Sequence, residues 1–294
     1  MAKVSRKEWA IEKMLFFFAL SAISGLALIA VFIVHEGLPV IVNQGVMGFV
    51  LSTTWEPVPP QMPGHAVIAP QFGILPMIVG SFEVTIGALL FGVPLSLACA
   101  IGLVEFCPAG PARAIKALIE LLAGIPSVVY GFIGVVVLVP FIRGAFGGPG
   151  MSVLASSIVL GIMILPSVVS ISTDAIRAVP QSYREGSIAL GATRWQTVHR
   201  VVLRAARSGI LTAVILGMGR AVGETMAVIM VAGNTIRIPY SPLDPVRTLT
   251  SNIALEMGYA SGAHRQALFA TGIVLFIMIM ILNGIATWVS RRRT

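Results

Sequence analysis

Arg220 and Glu224 stand four residues apart in "GMGRAVGETMAVIMVAGNT" (Gly217 to Thr235), a stretch with no other charge. On a continuous helix that spacing puts a guanidinium and a carboxylate on one face. An arginine at the middle of a membrane helix costs about 2.5 to 3.5 kcal/mol on insertion scales, so it must face a bundle or a wet cavity and have a partner. Two chemistries suit the pair. Either it is a structural ion pair that fixes helix packing, or Arg220 offers positive charge along the route of an oxyanion while Glu224 holds or compensates it. The planar donor fork of arginine matches phosphate oxygens. Ser127 and Tyr130 are further candidates, since they flank Pro126, and a proline kink frees backbone carbonyls that can shape a pathway. Packing is the plainer role for both.

What the chain lacks excludes other chemistry. Its lysines are Lys3, Lys7, Lys13 and Lys116, and none is followed by Ser or Thr in a Gly-rich loop, so there is no Walker A nucleotide site. Cys99 and Cys107 make neither a disulfide framework nor a CxxC pair. His35, His65, His199 and His264 show no paired ligand spacing, and neither a metal nor a cofactor is expected. No nucleophile, base and orienter fall together, which argues against an enzyme.

The medium that must hold these residues follows from composition. Of 294 residues, 56% are hydrophobic and 11% charged, and the mean hydropathy is +0.93. A helix needs about 20 apolar residues to cross about 30 Å of hydrocarbon. Six runs qualify: Met14 to Val34, Phe72 to Val104, Leu121 to Ile142, Met151 to Thr173, Ser208 to Gly233 and Gln266 to Val289. The fold class is therefore all-α, a polytopic membrane protein with six transmembrane helices. Glu83 in the second run places the first turns of that run outside the hydrocarbon. The first run is too long for a signal peptide and lacks a small-residue cleavage site, so it reads as a retained helix.

Orientation comes from the basic residues. A cytoplasmic N-terminus puts Lys3, Arg6, Lys7, Lys13, Arg113, Lys116, Arg177, Arg184, Arg194, Arg200, Arg204, Arg207, Arg291, Arg292 and Arg293 inside. Only Arg143, Arg237, Arg247 and Arg265 then lie outside. The positive-inside rule favours this arrangement, with both termini cytoplasmic. The net charge of +8 is then mostly topology, and nucleic-acid binding loses its support. Outside, Gly37 to Gln71 is proline-rich (Pro57, Pro59, Pro60, Pro63, Pro70), and Asn234 to Arg265 contains "IRIPYSPLDP"; both read as ordered turns or short re-entrant pieces.

One long polar stretch, "SYREGSIALGATRWQTVHRVVLR" (Ser182 to Arg204), lies on the cytoplasmic side between the fourth and fifth runs. Ser182-x-x-Glu185 and Thr193-x-x-Gln196 each fit a capping box, and Gly191 stands where a left-handed residue would stop the first helix. The pattern predicts a helix, a glycine turn and a second helix running into the fifth span. Such a unit could read DNA, but both its ends are pinned to spans. A solvated basic loop is the bland alternative, and a rigid lever for a cytoplasmic partner is the functional one.

The run "REGSIALGATRWQTVHRVVL" resembles the EAA loop of ABC importer permeases. "LLAGIPSVVYG" (Leu121 to Gly131), "GMGRAVGETMAVIMVAGNT" and "FGILPMIVGS" (Phe72 to Ser81) are similar to phosphate importer permeases, nearer the PstC type than its PstA-type partner. The resemblance implies a type I ABC importer permease fold in the cytoplasmic (inner) membrane. It implies a homologous PstA-type permease, two copies of an ATPase subunit and an external phosphate-binding protein as partners, and transport by alternating access. It places ATPase coupling on Glu185, Gly186, Ser187, Gly191 and Ala192, within a loop over 180–204, and the translocation pathway on Arg220, Glu224, Ser127 and Tyr130. The domains it suggests are 1–71, an N-terminal helix and outer loop; 72–290, the transmembrane domain; and 291–294, a basic tail. Two positions depart from the family. Gly186 and Ser187 replace its Ala-Ala, and glycine loosens a helix by about 1 kcal/mol relative to alanine. Arg204 replaces its proline, which leaves the bend there open. Another oxyanion such as molybdate or sulfate, or an ion-driven carrier or channel without an ATPase, are the alternative functions.

Overall fold

With no charge between Lys13 and Glu36, the first apolar run has nothing to end it, and α1 (Arg6–Gln44) continues past the expected Val34. The computed structural model describes residues 6–59 and 69–292. Pro60, Pro63 and His65 of the outer loop, and Lys3 and Arg293 of the termini, lie outside the described residues. After α1 come α2 (Val46–Leu51) and a two-stranded antiparallel hairpin, β1 (Trp55–Glu56) with β2 (Gln71–Phe72), in register Trp55↔Phe72. This hairpin is the one sheet among the described residues; an isolated parallel bridge also joins Gly233 and Val246.

The remaining helices are α3 (Leu75–Ile101), which runs into a π-helical turn Gly102–Phe106, and α4 (Ala109–Ala123). Then come α5 (Ser127–Ile133), a π turn Gly134–Leu138, α6 (Val139–Phe146) and α7 (Val153–Arg177). The cytoplasmic unit is α8 (Gln181–Ala189), α9 (Arg194–Thr197), a π turn Val198–Val202 and α10 (Leu203–Ala205). The chain ends with α11 (Arg207–Gly223), α12 (Met226–Val231), α13 (Leu249–Glu256) and α14 (Gly262–Arg292).

Five stretches are long and apolar enough to cross a membrane unaided: Ile11–Gln44, Leu75–Phe106, Ser127–Phe146, Val153–Arg177 and Gly262–Trp288. The fifth crossing, expected as one span over Ser208 to Gly233, is broken. It meets the same test only as Arg194–Ala205 together with Arg207–Gly223, which are bent by 70°. The bend forms with Arg204 in place of the family's proline. The third span also differs, starting at Ser127 and not Leu121. Leu121 and Leu122 close α4, and Pro126 is the N-cap of α5, not a kink within a span. A proline there costs nothing, because the N–H it lacks would have no helical partner.

Small residues let the central helices approach. A Cβ on Gly92 of α3 would come within 2.7 Å of the Gly161 carbonyl of α7, the close contact by which membrane helices gain dispersion energy without a hydrophobic drive. Val84, Ala88, Val159, Leu160 and Ile164 fill this middle. At the inner end Leu103, Ala112, Ile119, Ile176, Val179 and Val202 join α3, α4, α7 and the cytoplasmic unit. At the outer end Phe49, Trp55, Phe72, Met77, Leu249 and Leu268 form a third cluster.

Buried charge locks that outer end. The Glu256 carboxylate accepts hydrogen bonds from Trp55 Nε1 at 2.9 Å and Arg247 Nη1 at 2.6 Å, and lies 2.8 Å from His264 Nε2. Arg247 also donates to Asn252 Oδ1 and the Asn234 carbonyl, both at 3.0 Å. One carboxylate thus ties the hairpin, α13 and the start of α14 together.

Candidate coupling and translocation sites

The polar unit forms a helix, a turn and a helix, with one of its two expected caps. Pro180 is the N-cap of α8, so Ser182 falls inside the first turn and no side-chain cap forms; the Ser182–Glu185 capping box is absent. Proline fixes its own φ near the helical value and starts the helix one residue ahead of the serine. The Thr193–Gln196 box is complete, with Gln196 N to Thr193 Oγ1 at 3.3 Å and Thr193 N to Gln196 Oε1 at 2.9 Å.

Between them Gly191 has φ +82°. Its N–H donates to the Ile188 carbonyl at 2.9 Å, and the Ala192 N–H reaches the Ser187 carbonyl at 3.2 Å. That pair of bonds is a Schellman motif, and it requires the left-handed residue that glycine supplies. Ser187 Oγ also lies 2.9 Å from Thr197 Oγ1, joining α8 to α9. Gly186 has open space around it, so an alanine Cβ would meet nothing. Glu185 is exposed and makes no hydrogen bond or ion pair among the described residues. Tyr183, Ile188 and Leu190 are exposed beside it, Leu190 at 91%.

Arg184 and Glu105, which sequence reasoning did not single out, fix this unit to the bundle. Arg184 Nη2 lies 2.8 Å from Glu105 Oε1 at the inner end of α3, with only 14% and 9% of the two side chains exposed. The guanidinium further donates to the carbonyls of Val179 at 2.7 Å and Ile176 at 3.1 Å. Arg194 donates to the Glu105 carbonyl and lies over the Phe106 ring at 5.2 Å. A lone carboxylate ending an apolar run opposite a basic loop was the one available signal.

The pathway candidates come from α5, α11 and α12. The helix carrying Arg220 ends at Gly223, and Glu224 is extended with ψ 131°, so the two are not on one continuous helical face and form no ion pair among the described residues. Instead Glu224 Oε1 accepts the Ala227 N–H at 3.1 Å, capping α12, and its carbonyl accepts from Thr250 Oγ1 at 3.0 Å. Arg220 is exposed on α11. The Tyr130 hydroxyl donates to the Leu122 carbonyl at 2.7 Å. Ser127 is the half-buried first residue of α5. The arrangement leaves Arg220 exposed on α11, pairs Tyr130 with the end of α4, and gives Glu224 a backbone task. No group of histidine, cysteine or carboxylate side chains able to hold a metal occurs among the described residues.

Residues 92–294 match the family model for the "binding-protein-dependent transport system inner membrane component". The chain is 44% identical over 280 residues to "Probable ABC transporter permease protein YqgH" of Bacillus subtilis, covering 94% of this chain and 88% of that one. It is 37% identical over 265 residues to the "Phosphate transport system permease protein PstC" of Mesorhizobium japonicum, covering 83% and 78%. Among solved structures it shares the fold of a chain of a bacterial alginate ABC transporter, with TM-score 0.67, 16% identity and coverage of 98% and 96%. A chain of the MetNI methionine ABC transporter in an inward-facing conformation gives TM-score 0.58, 21% identity and coverage of 75% and 97%.

Proposed function

This chain belongs to the family of binding-protein-dependent transport system inner membrane components, and from that premise we propose that it is the permease through which an ATP-driven importer moves inorganic phosphate. It is a multi-pass protein of the cell membrane and a permease subunit of an ATP-binding-cassette importer. The observation that carries phosphate as cargo is the sustained likeness to a permease named for phosphate transport.

A second, PstA-type permease completes the path, an external phosphate-binding protein delivers the ion, and two copies of an ATPase subunit hydrolyse ATP. Residues 72–290 form the transport domain, with 1–71 as a peripheral helix and outer hairpin and 291–294 as a basic tail. The exposed face of α8, with Glu185, receives the ATPase, while Gly186, Ser187, Gly191 and Ala192 shape the turn behind it. Motion of α8 reaches α3 through Arg184 and Glu105 and reaches α11 through the bend at Ala206. Arg220 and Tyr130 line the route, Ser127 and Glu224 frame it, and the access of the route alternates.

Uptake of radiolabelled phosphate by the reconstituted complex, with receptor and ATP, tests the reading. Unlabelled phosphate is expected to compete and sulfate or molybdate to fail. Competition by either of those would assign another oxyanion as cargo. Uptake by this chain alone, without an ATPase, would assign an ion-driven carrier.

A further inference from the structure

Between α8 and the bundle lies a cleft of about 630 Å³ that the proposed route does not use. The guanidiniums of Arg177, Arg184 and Arg194 line it, against one carboxylate, Glu105. These charges are unevenly committed. Arg184 is held by Glu105 and two backbone carbonyls, and Arg194 gives one N–H to the Glu105 carbonyl. Arg177 is exposed and makes no hydrogen bond or ion pair among the described residues. It also borders an adjoining recess lined by Arg113. Glu105 is answered by Arg184, so the cleft keeps positive charge that no protein group lining it neutralises. The uncapped start of α8, at Pro180 and Gln181, opens on the same space. Convergent guanidiniums beside free helix amides suit a tetrahedral oxyanion.

We propose that this cleft binds a phosphate group, either free inorganic phosphate from the cytoplasm or the phosphodiester of an anionic lipid headgroup. Occupancy then stiffens the joint between α8 and the bundle, through which the ATPase acts. The site does not depend on phosphate being the cargo, because it lies apart from Arg220.

Hydrogen exchange of the assembled transporter in nanodiscs tests it in three arms: neutral lipid alone, neutral lipid with millimolar inorganic phosphate, and phosphatidylglycerol without phosphate. Exchange over residues 178–184 is expected to slow by about tenfold in at least one loaded arm, the scale of one charge-assisted hydrogen bond. Slowing with phosphate identifies a free ion, and slowing with phosphatidylglycerol identifies a lipid headgroup. Arg177→Gln is expected to abolish the effect, Arg177→Lys to keep part of it, and Arg220→Gln to leave it intact. No slowing in either arm, equal slowing in Arg177→Gln, or loss in Arg220→Gln would overturn the proposal; the last would place the effect in the transport route. Loss of phosphate uptake specificity in the reconstituted complex would leave this result unaffected, so the two readings fail separately.

Discussion

Arg220 is the residue whose reading changes most between sequence and structure. A helix that ran on through Glu224 would have given it an intramolecular counterion, and its role could have ended there. The helix stops at Gly223, Glu224 turns to cap α12, and the guanidinium is left exposed on α11 without an ion pair among the described residues. A charge placed so must meet water, a partner subunit or a passing anion. Arg220→Gln is therefore expected to lower phosphate uptake by tenfold or more, about the worth of one charge-assisted hydrogen bond, with normal abundance in the membrane. Arg220→Lys should keep part of the uptake, having charge without the bidentate fork. Full uptake in the Gln variant would remove Arg220 from the route. Glu185 poses the complementary case at the surface. Since it has no side-chain partner among the described residues, Glu185→Lys should shift thermal stability by no more than about 0.5 kcal/mol while separating ATP hydrolysis from uptake. Parallel ATPase and transport assays read this, and unchanged coupling would take the ATPase contact away from Glu185.

Among the elements, α8 shows what was legible and what was not. The Gly191 turn and the Thr193–Gln196 box were readable because both are closed by bonds between residues three to five apart. The Ser182–Glu185 box failed over an equally short span, because Pro180 claims the cap position first. The break after Gly223 was not readable, since the Thr250 hydroxyl that holds the Glu224 carbonyl lies 26 residues away in sequence. Nor was the anchor of α8, whose two members are 79 residues apart in sequence. That anchor has a measurable weight. Removing one partner of a buried ion pair strands the other, at about 3 to 5 kcal/mol, whereas removing both is far milder. Glu105→Gln is thus expected to lower the thermal midpoint of the purified complex clearly, and Glu105→Gln with Arg184→Gln to recover much of it. The double variant should still hydrolyse ATP while transporting poorly, because α8 then moves without taking α3 along. A double variant that transports normally would show that coupling runs by another contact.

On the scale of the whole molecule, the three hydrophobic clusters sit at different depths, and each end is fastened by a buried carboxylate answering an arginine. Glu105 with Arg184 fastens the inner end, where the ATPase is proposed to push, and Glu256 with Arg247 fastens the outer end, where the receptor is proposed to dock. Between them the close approach of α3 and α7 at Gly92 and Gly161 makes a stiff middle. Alternating access needs such rigid ends, because packed interiors shift between discrete arrangements and do not deform continuously. The two ends should then fail differently. Glu256→Gln replaces a carboxylate that Trp55 and Arg247 donate to and His264 adjoins with an amide that has one acceptor oxygen, and it leaves the Arg247 charge, 15% exposed, without its counterion. The same arithmetic of a stranded buried charge gives a cost of about 3 to 5 kcal/mol, located in the hairpin, α13 and the first turn of α14. The expected result is a lower thermal midpoint with loss of receptor-stimulated ATPase activity while basal hydrolysis persists, the reverse of Glu185→Lys, which should leave receptor binding intact. Measuring basal and receptor-stimulated hydrolysis in both variants separates the ends. If Glu256→Gln keeps full stimulation by the receptor, the outer lock serves stability alone and the signal from the receptor enters elsewhere.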